Sequence, residues 1–202
     1  MIETIIFDFG DVFINLDKLA TPRELSKLGD FKWTPKMQEL NNLYEVGKVS
    51  TSEFLNNYQK IFPNAAQQQL IEAWNAILLD FPKYRLDFLQ NLVSSQNYKL
   101  ILLSNTNELH IDKVKETISF YETFRSCFDA FYLSHEIHLR KPNIDIFEFV
   151  LEQHQIEPSK TIFIDDTKEN TDSAAQLGIH VWNNDPKSQD ITNLFTLKSH
   201  LF

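Results

Sequence analysis

The sequence predicts an α/β fold: a parallel sheet with helices on both faces and four helices inserted after the first strand. Three observations lead there. Segments such as Thr4–Phe7, Lys99–Leu103 and Thr161–Ile164 are continuous apolar runs rather than alternating ones, the pattern of strands buried on both faces. From residue 82 onward such runs alternate with helical periodicity, the βαβα order of a parallel sheet. Between residues 16 and 81, four helical patterns follow one another with no strand between them. The expected division is a Rossmann-like core from 1–15 and 82–202, and a helical cap from 16–81.

The first strand, rich in β-branched and aromatic residues, ends at Asp8 and breaks at Gly10. Thr21-Pro22-Arg23-Glu24 offers an N-cap, a Pro at the first helical position and a Glu at N3, with Gly29 as the stop. Thr34-Pro35 opens the second helix in the same way, Ser50 to Glu53 the third and Asn64 to Gln67 the fourth. Downstream, the periodicity predicts a helix over 83–95, a strand over 99–103, a helix over 108–119 and a strand over 128–133. It then predicts a helix over 143–154, a strand over 161–164, a helix over 170–177 stopped by Gly178, and a short strand over 180–182. The last fifteen or so residues show no clear period.

Bulk composition narrows the function. The 202 residues are 43% apolar, ample for a sizeable core. The net charge of −9 argues against nucleic-acid or anionic-membrane partners but leaves a small anionic substrate open. The single Cys127 makes no internal disulfide, so a reducing, cytoplasmic setting is expected. No apolar run reaches the ~18 residues of a membrane span, no basic-then-apolar leader opens the chain, and neither GxGxxG nor GxxxxGK[ST] occurs.

The polar residues at strand ends carry the chemistry. Strand one ends in Asp8, strand two in Ser104-Asn105 and strand four in Asp165-Asp166, with Arg140-Lys141-Pro142 just before a helix. In open parallel sheets ligands bind outside the carboxyl ends of the strands. Carboxylates delivered by two strands suit a hard cation such as Mg²⁺, which keeps water and phosphate oxygens as its other ligands. Taken singly, each residue has a plainer reading as a turn, a helix cap or a solvated charge. Their joint order is what matters.

That order resembles the haloacid dehalogenase-like (HAD) hydrolase superfamily, and in particular its sugar-1-phosphate phosphatase branch. The matching segments are Asp8-Phe9-Gly10-Asp11-Val12, Leu103-Ser104-Asn105-Thr106-Asn107, Arg140-Lys141-Pro142, and Ile164-Asp165-Asp166 followed by Asn170, and they span nearly the whole chain. The resemblance implies that Asp8 is a nucleophile forming an aspartyl-phosphate, with Mg²⁺ held by Asp8, the Gly10 carbonyl and Asp166. It implies that Ser104 and the Asn105 amide bind the phosphoryl group, that Lys141 neutralises nucleophile and phosphate, and that Asp165 and Asn170 orient the metal water and Lys141.

One position departs from the superfamily. Most of its phosphatases carry a second Asp two residues after the nucleophile, as acid and base; here that residue is Gly10, as in the sugar-1-phosphate branch. Asp11 is the alternative carrier of that role. General acid catalysis is worth about 10²–10⁴-fold, so its loss hurts poor leaving groups most. The expectation is therefore a Mg²⁺-dependent phosphatase acting on a small phosphorylated metabolite, such as a sugar phosphate. The rivals are a metal-free 2-haloacid dehalogenase, which lacks paired carboxylates like Asp165-Asp166, and a non-catalytic phospho-ligand-binding protein on the same scaffold. His110, His135 and His138 match no zinc spacing. Trp33 and Trp74 read as core, with Trp33, Tyr44 and Phe54 as candidate pocket walls, and Glu45-Val46-Gly47 as a candidate loop over the site. Monomer and homodimer are not distinguished.

Overall fold

The computed structural model describes residues 1–202 and contains one sheet of five parallel strands: β1 (Thr4–Phe7), β2 (Lys99–Ser104), β3 (Ala130–Leu133), β4 (Thr161–Asp165) and β5 (His180–Asn183), in the order β3-β2-β1-β4-β5. The central strands are apolar throughout because both of their faces are covered. Ile5 and Phe7 point to one face, with Leu100, Leu102, Ile162 and Ile164. There they meet α5 (Lys83–Ser95), α6 (Glu108–Thr117) and α7 (Tyr121–Arg125) through Leu89, Val114 and Phe124. Ile6, Ile101, Leu103 and Phe163 point the other way, onto Phe147 and Val150 of α9 (Ile144–His154) and Ala174 of α10 (Lys168–Gln176).

Four helices follow β1 before the chain returns to the sheet: α1 (Ala20–Leu28), α2 (Pro35–Glu45), α3 (Thr51–Ile61) and α4 (Gln67–Asn75). They enclose a core of their own in which Leu25, Met37, Tyr44, Phe54, Tyr58 and Leu70 are buried. Two of their starts follow the sequence. The Thr34 hydroxyl accepts from Met37 N at 3.3 Å, and Ser50 and Glu53 form a reciprocal capping box. The other two differ. Helix α1 begins before Thr21, because the Asp17 carboxylate accepts from Leu19 N at 3.1 Å and starts the turn earlier. Pro22 is tolerated in the first turn, where its missing N–H has no helical partner to lose. Thr21 is buried, and its hydroxyl donates to Trp74 O at 3.2 Å. Helix α4 starts at Gln67 rather than at Asn64, with the Ala66 N–H donating to Gln69 Oε1 at 2.8 Å.

Downstream boundaries lie within about two residues of expectation, which is normal fraying. Two short helices carry no sequence period: α7, and α8 (Ser134–Ile137), each too brief to show one. The carboxyl-terminal segment also packs. Ile191 and Leu194, the latter opening α11 (Leu194–Leu197), are fully buried against the same core as α5. No helix is long and apolar enough to cross a membrane.

Arg85 ties three parts of this core together. It is 6% exposed, and its guanidinium donates to Phe13 O at 3.0 Å, Asn15 Oδ1 at 2.9 Å and Asp190 Oδ2 at 3.0 Å. Arg85→Met strands these acceptors and should cost about 3 kcal/mol in urea denaturation. Lys83→Met, which breaks only an exposed pair with Asp87, should cost less than about 0.5 kcal/mol.

Candidate active site

The parallel register brings the polar strand ends to one rim. Phe7 lies beside Leu102 on one side and Ile164 on the other, so the residues that follow, Asp8, Leu103 and Asp165, reach the edge together. The chain leaves β1 toward β2 and later crosses to β4, making the ends of β1 and β4 the switch point where an open α/β sheet forms its crevice.

At that point Lys141 is buried, at 1% exposure, with its ammonium between two carboxylates. Nζ donates to Asp8 Oδ1 at 2.8 Å and to Asp165 Oδ2 at 2.6 Å, and lies 5.2 Å from the centre of the Phe163 ring. Asp165, with no exposed surface, also accepts from Thr167 N at 2.8 Å and from Asn170 Nδ2 at 3.1 and 3.0 Å. Its oxygens are thus committed to positioning Lys141. Burial pulls the Lys141 ammonium down, but Asp165 and Asp8 outweigh it and hold the group above the ordinary lysine value. Asp8 shows the opposite balance. Burial pushes its carboxyl up, Lys141 lowers it, Asp165 and Asp166 raise it again, and it settles at about 7.

Asp166 stands beside this pair, and oxygens of Asp8, Asp165 and Asp166 fall within 4.8 Å of one another. Burial raises the Asp166 carboxyl against the pull of Lys18, whose ammonium bridges Asp166 and, at 3.1 Å, Asp11. This donor set fits a hard divalent cation. Three carboxylates meet at this point, and with Asp165 engaged by Lys141, Thr167 and Asn170, Asp8 and Asp166, the latter paired with the exposed Lys18, are the two that could hold a metal. Asp11 sits at φ +53°, its Oδ1 accepting from Leu16 N at 3.0 Å and its Oδ2 pairing with Lys18.

A cavity of about 330 Å³ opens above this rim, between the sheet and the helices α1, α2 and α4. Gly10, Ser104 and Asn105 line its floor. The Asn105 side chain is occupied, donating to Lys141 O at 2.8 Å and accepting from Lys141 N at 2.9 Å. What Asn105 offers an anion is therefore its backbone N–H.

The roof holds side chains whose importance the sequence conceals. Trp74 lines the cavity as well as packing on Phe54 at 4.7 Å, and its Nε1 donates to Asn107 Oδ1 at 3.3 Å. Asn107 Nδ2 meets His110 Nδ1 at 3.1 Å, and His110 Nε2 meets Trp74 O at 3.2 Å. A carbonyl only accepts, so Nε2 carries the proton and Nδ1 accepts from Asn107. Burial pushes His110 down to about 4, which leaves it a neutral strut rather than an acid. Trp33 lines the cavity as expected, whereas Tyr44 and Phe54 belong to the core of the helical layer. Glu45 reaches the cavity and pairs with Arg140 at 2.7 Å. His135 lies in α8, and His138 is the exposed turn residue that ends it, its Nδ1 bonding Val46 O at 2.9 Å. No periodicity or motif marks Lys18, and only its proximity to the Asp8 segment could have drawn attention to it.

A family model described as haloacid dehalogenase-like hydrolase matches residues 5–183, nearly the whole chain and every residue of this rim. The chain belongs to that family. It is a hydrolase with the HAD α/β fold. Among curated relatives it is 28% identical to a D-ribitol-5-phosphate phosphatase of Bacteroides thetaiotaomicron, over 90% of this chain and 91% of the relative. It is 25% identical to a sesquiterpene phosphatase of Aspergillus oryzae over 74% of this chain and 81% of the other. Among solved structures, a HAD family enzyme from Bacteroides thetaiotaomicron in complex with magnesium and inorganic phosphate superposes with a TM-score of 0.82 at 32% identity, covering 96% of this chain and 100% of that one.

The raised Asp8 carboxyl has a consequence for stability. A carboxyl whose folded value is about 7 against an unfolded value near 3.8 stabilises fully below pH ~4, and that contribution is lost as pH rises through 7. In EDTA, the stability difference between Asp8→Asn and wild type should therefore grow in the variant's favour from pH 4 to pH 7.5, as read by thermal unfolding. A constant difference across that range would contradict the assigned burial of this charge.

Proposed function

We propose that the protein is a Mg²⁺-dependent phosphatase that hydrolyses a small sugar or sugar-alcohol phosphate through an aspartyl-phosphate on Asp8. The observation that carries this reading is the buried Lys141 ammonium, held between Asp8 and Asp165 beside the carboxylate of Asp166. A free Asp8 oxygen attacks phosphorus, the ester oxygen departs with its electron pair, and water then cleaves the acyl phosphate to regenerate the carboxylate. Lys141 favours the ionised form of Asp8, orients it and offsets the incoming phosphate charge, while Asp165 and Asn170 keep the ammonium in place. The Ser104 hydroxyl and the Asn105 backbone N–H would donate to non-bridging phosphoryl oxygens. Asp8, the Gly10 carbonyl and Asp166 would hold Mg²⁺, which supplies charge neutralisation between carboxylate and phosphate.

The complexes of the Bacteroides enzyme with magnesium and phosphate support the metal and the reaction class, and the ribitol-5-phosphate phosphatase supports a polyhydroxylated leaving group. So does the cavity, whose α2 wall presents Gln38, Asn41 and Asn42 between Trp33 and Trp74. The carboxylate pair at the end of β4 weighs against metal-free dehalogenation, and the complete Asp8–Lys141–Asp166 set weighs against a binding-only role. The helices of residues 16–81 act as the cap that shields the site from bulk water.

Asp11 is committed to Leu16 and Lys18, so no carboxylic acid stands at Gly10 to protonate the leaving group. Esters with acidic leaving groups should react fastest, and an anomeric sugar phosphate should outpace a primary one of the same sugar. In a phosphate-release assay with p-nitrophenyl phosphate, Asp8→Asn should lower kcat by about 10³-fold or more, and Ser104→Ala by about 10²-fold. EDTA should abolish turnover and Mg²⁺ restore it. Wild-type turnover by Asp8→Asn would overturn the proposal.

A further inference from the structure

The active-site cavity does not end in solvent on the α2 side; it abuts a second, outer cleft. That cleft, about 520 Å³, runs between α2 and the segment joining α8 to α9, and its lining includes Lys48, His138, Asn143 and Asp145. Three residues line both spaces: Gln38, Asn42 and Arg140. They constitute the partition, and across it runs the pair of Glu45 from the cap with Arg140 from the core, at 2.7 Å. The amides beside it are joined as well, Gln38 Nε2 donating to Asn42 Oδ1 at 3.1 Å.

The backbone behind Glu45 is fastened independently of that pair. The Ser134 hydroxyl lies 2.6 Å from Glu45 O, and His138 Nδ1 lies 2.9 Å from Val46 O. Gly47, at φ +65°, sits so close to the core that a Cβ there would lie 2.1 Å from His135 O. Removing either charged side chain therefore breaks the bridge across the partition while leaving these backbone contacts of the cap turn in place. The side chains of this pair keep 28% and 27% of their surface exposed, so solvent screens the bridge in part, and closure of the wall is a physical consequence of it beside any stabilisation.

We propose that the Glu45–Arg140 bridge is a length gate: it closes the far end of the active-site cavity and restricts the enzyme to leaving groups of about one sugar unit. With the bridge gone, a second sugar unit can extend into the outer cleft, whose lysine, histidine, asparagine and aspartate side chains suit hydroxyls. The gate rests on the phosphatase reading for its substrate class but is tested apart from turnover.

The experiment compares glucose 6-phosphate with trehalose 6-phosphate, which carries the same phosphorylated glucose plus one further glucose. The two readouts are the ratio of kcat/KM values and, in an Asp8→Asn background with Mg²⁺, the ratio of Kd values from calorimetry. Wild type should favour the monosaccharide in both. Glu45→Ala and Arg140→Ala should each shift both ratios at least tenfold toward the disaccharide, and Arg140→Lys, which keeps a cation opposite Glu45, should shift them less. Unchanged ratios in both alanine variants, no preference in wild type, or no binding of either ester to any form would overturn the gate. Failure of the phosphatase reading would appear differently, as equal turnover by wild type and Asp8→Asn with the Kd ratios still shifting.

Discussion

Everything at the carboxyl edge of this sheet depends on one buried ammonium. Moving a lysine from water into a protein interior is costly, and a neutral Lys141 would leave Asp8 and Asp165 as uncompensated charges. The geometry resolves both problems together. Asp165, satisfied by Lys141, Thr167 and Asn170, is a fixed anion, and it stations the ammonium against Asp8. The site is thus pre-organised for an incoming phosphate, because its positive charge is in position before the substrate arrives.

The same edge links chemistry to the helical layer above it. Lys141 is fixed through its backbone by Asn105, and the β2–α6 turn that bears Asn105 is bonded onward through Asn107 to Trp74 of α4. Thr106 N donates to the Ser134 hydroxyl, which also lies against Glu45 O of the cap turn. Tyr44 OH accepts from Leu109 N at 3.2 Å. The four-helix layer and the β2–α6 turn therefore share a hydrogen-bond network, and a shift of α4 or of the Glu45 turn is felt within two residues of Asn105.

What could be read from the sequence follows from the range of the interactions involved. Asp8, Ser104, Asp165 and Asp166 announce themselves because an apolar strand fixes where its next residue goes, and a polar side chain there needs a reason. The N-cap at Thr34 and the capping box at Ser50 are likewise local, whereas Thr21 misleads because Asp17, four residues upstream, starts the helix first. The Glu45–Arg140 pair, the contact of Lys18 with Asp166, and the bonds of Trp74 to Asn107 and His110 join residues 30 or more positions apart. No spacing rule reports such pairs, since they exist only once the cap is folded onto the sheet. Trp74 shows the ambiguity most clearly: its helical spacing is that of a core residue, which it is, and nothing in that spacing reveals its other face in the cavity.

The central claim is that Asp8 becomes phosphorylated. Acid-quenching the Mg²⁺-loaded enzyme within the first turnover of p-nitrophenyl phosphate, then mapping peptides by mass spectrometry, reads this directly. An aspartyl-phosphate adds the mass of one phosphoryl group to the peptide containing Asp8, absent from Asp8→Asn and lost on warming at neutral pH. Rapid release of p-nitrophenol with no phosphoryl adduct on that peptide, or with the adduct on another residue, would contradict it.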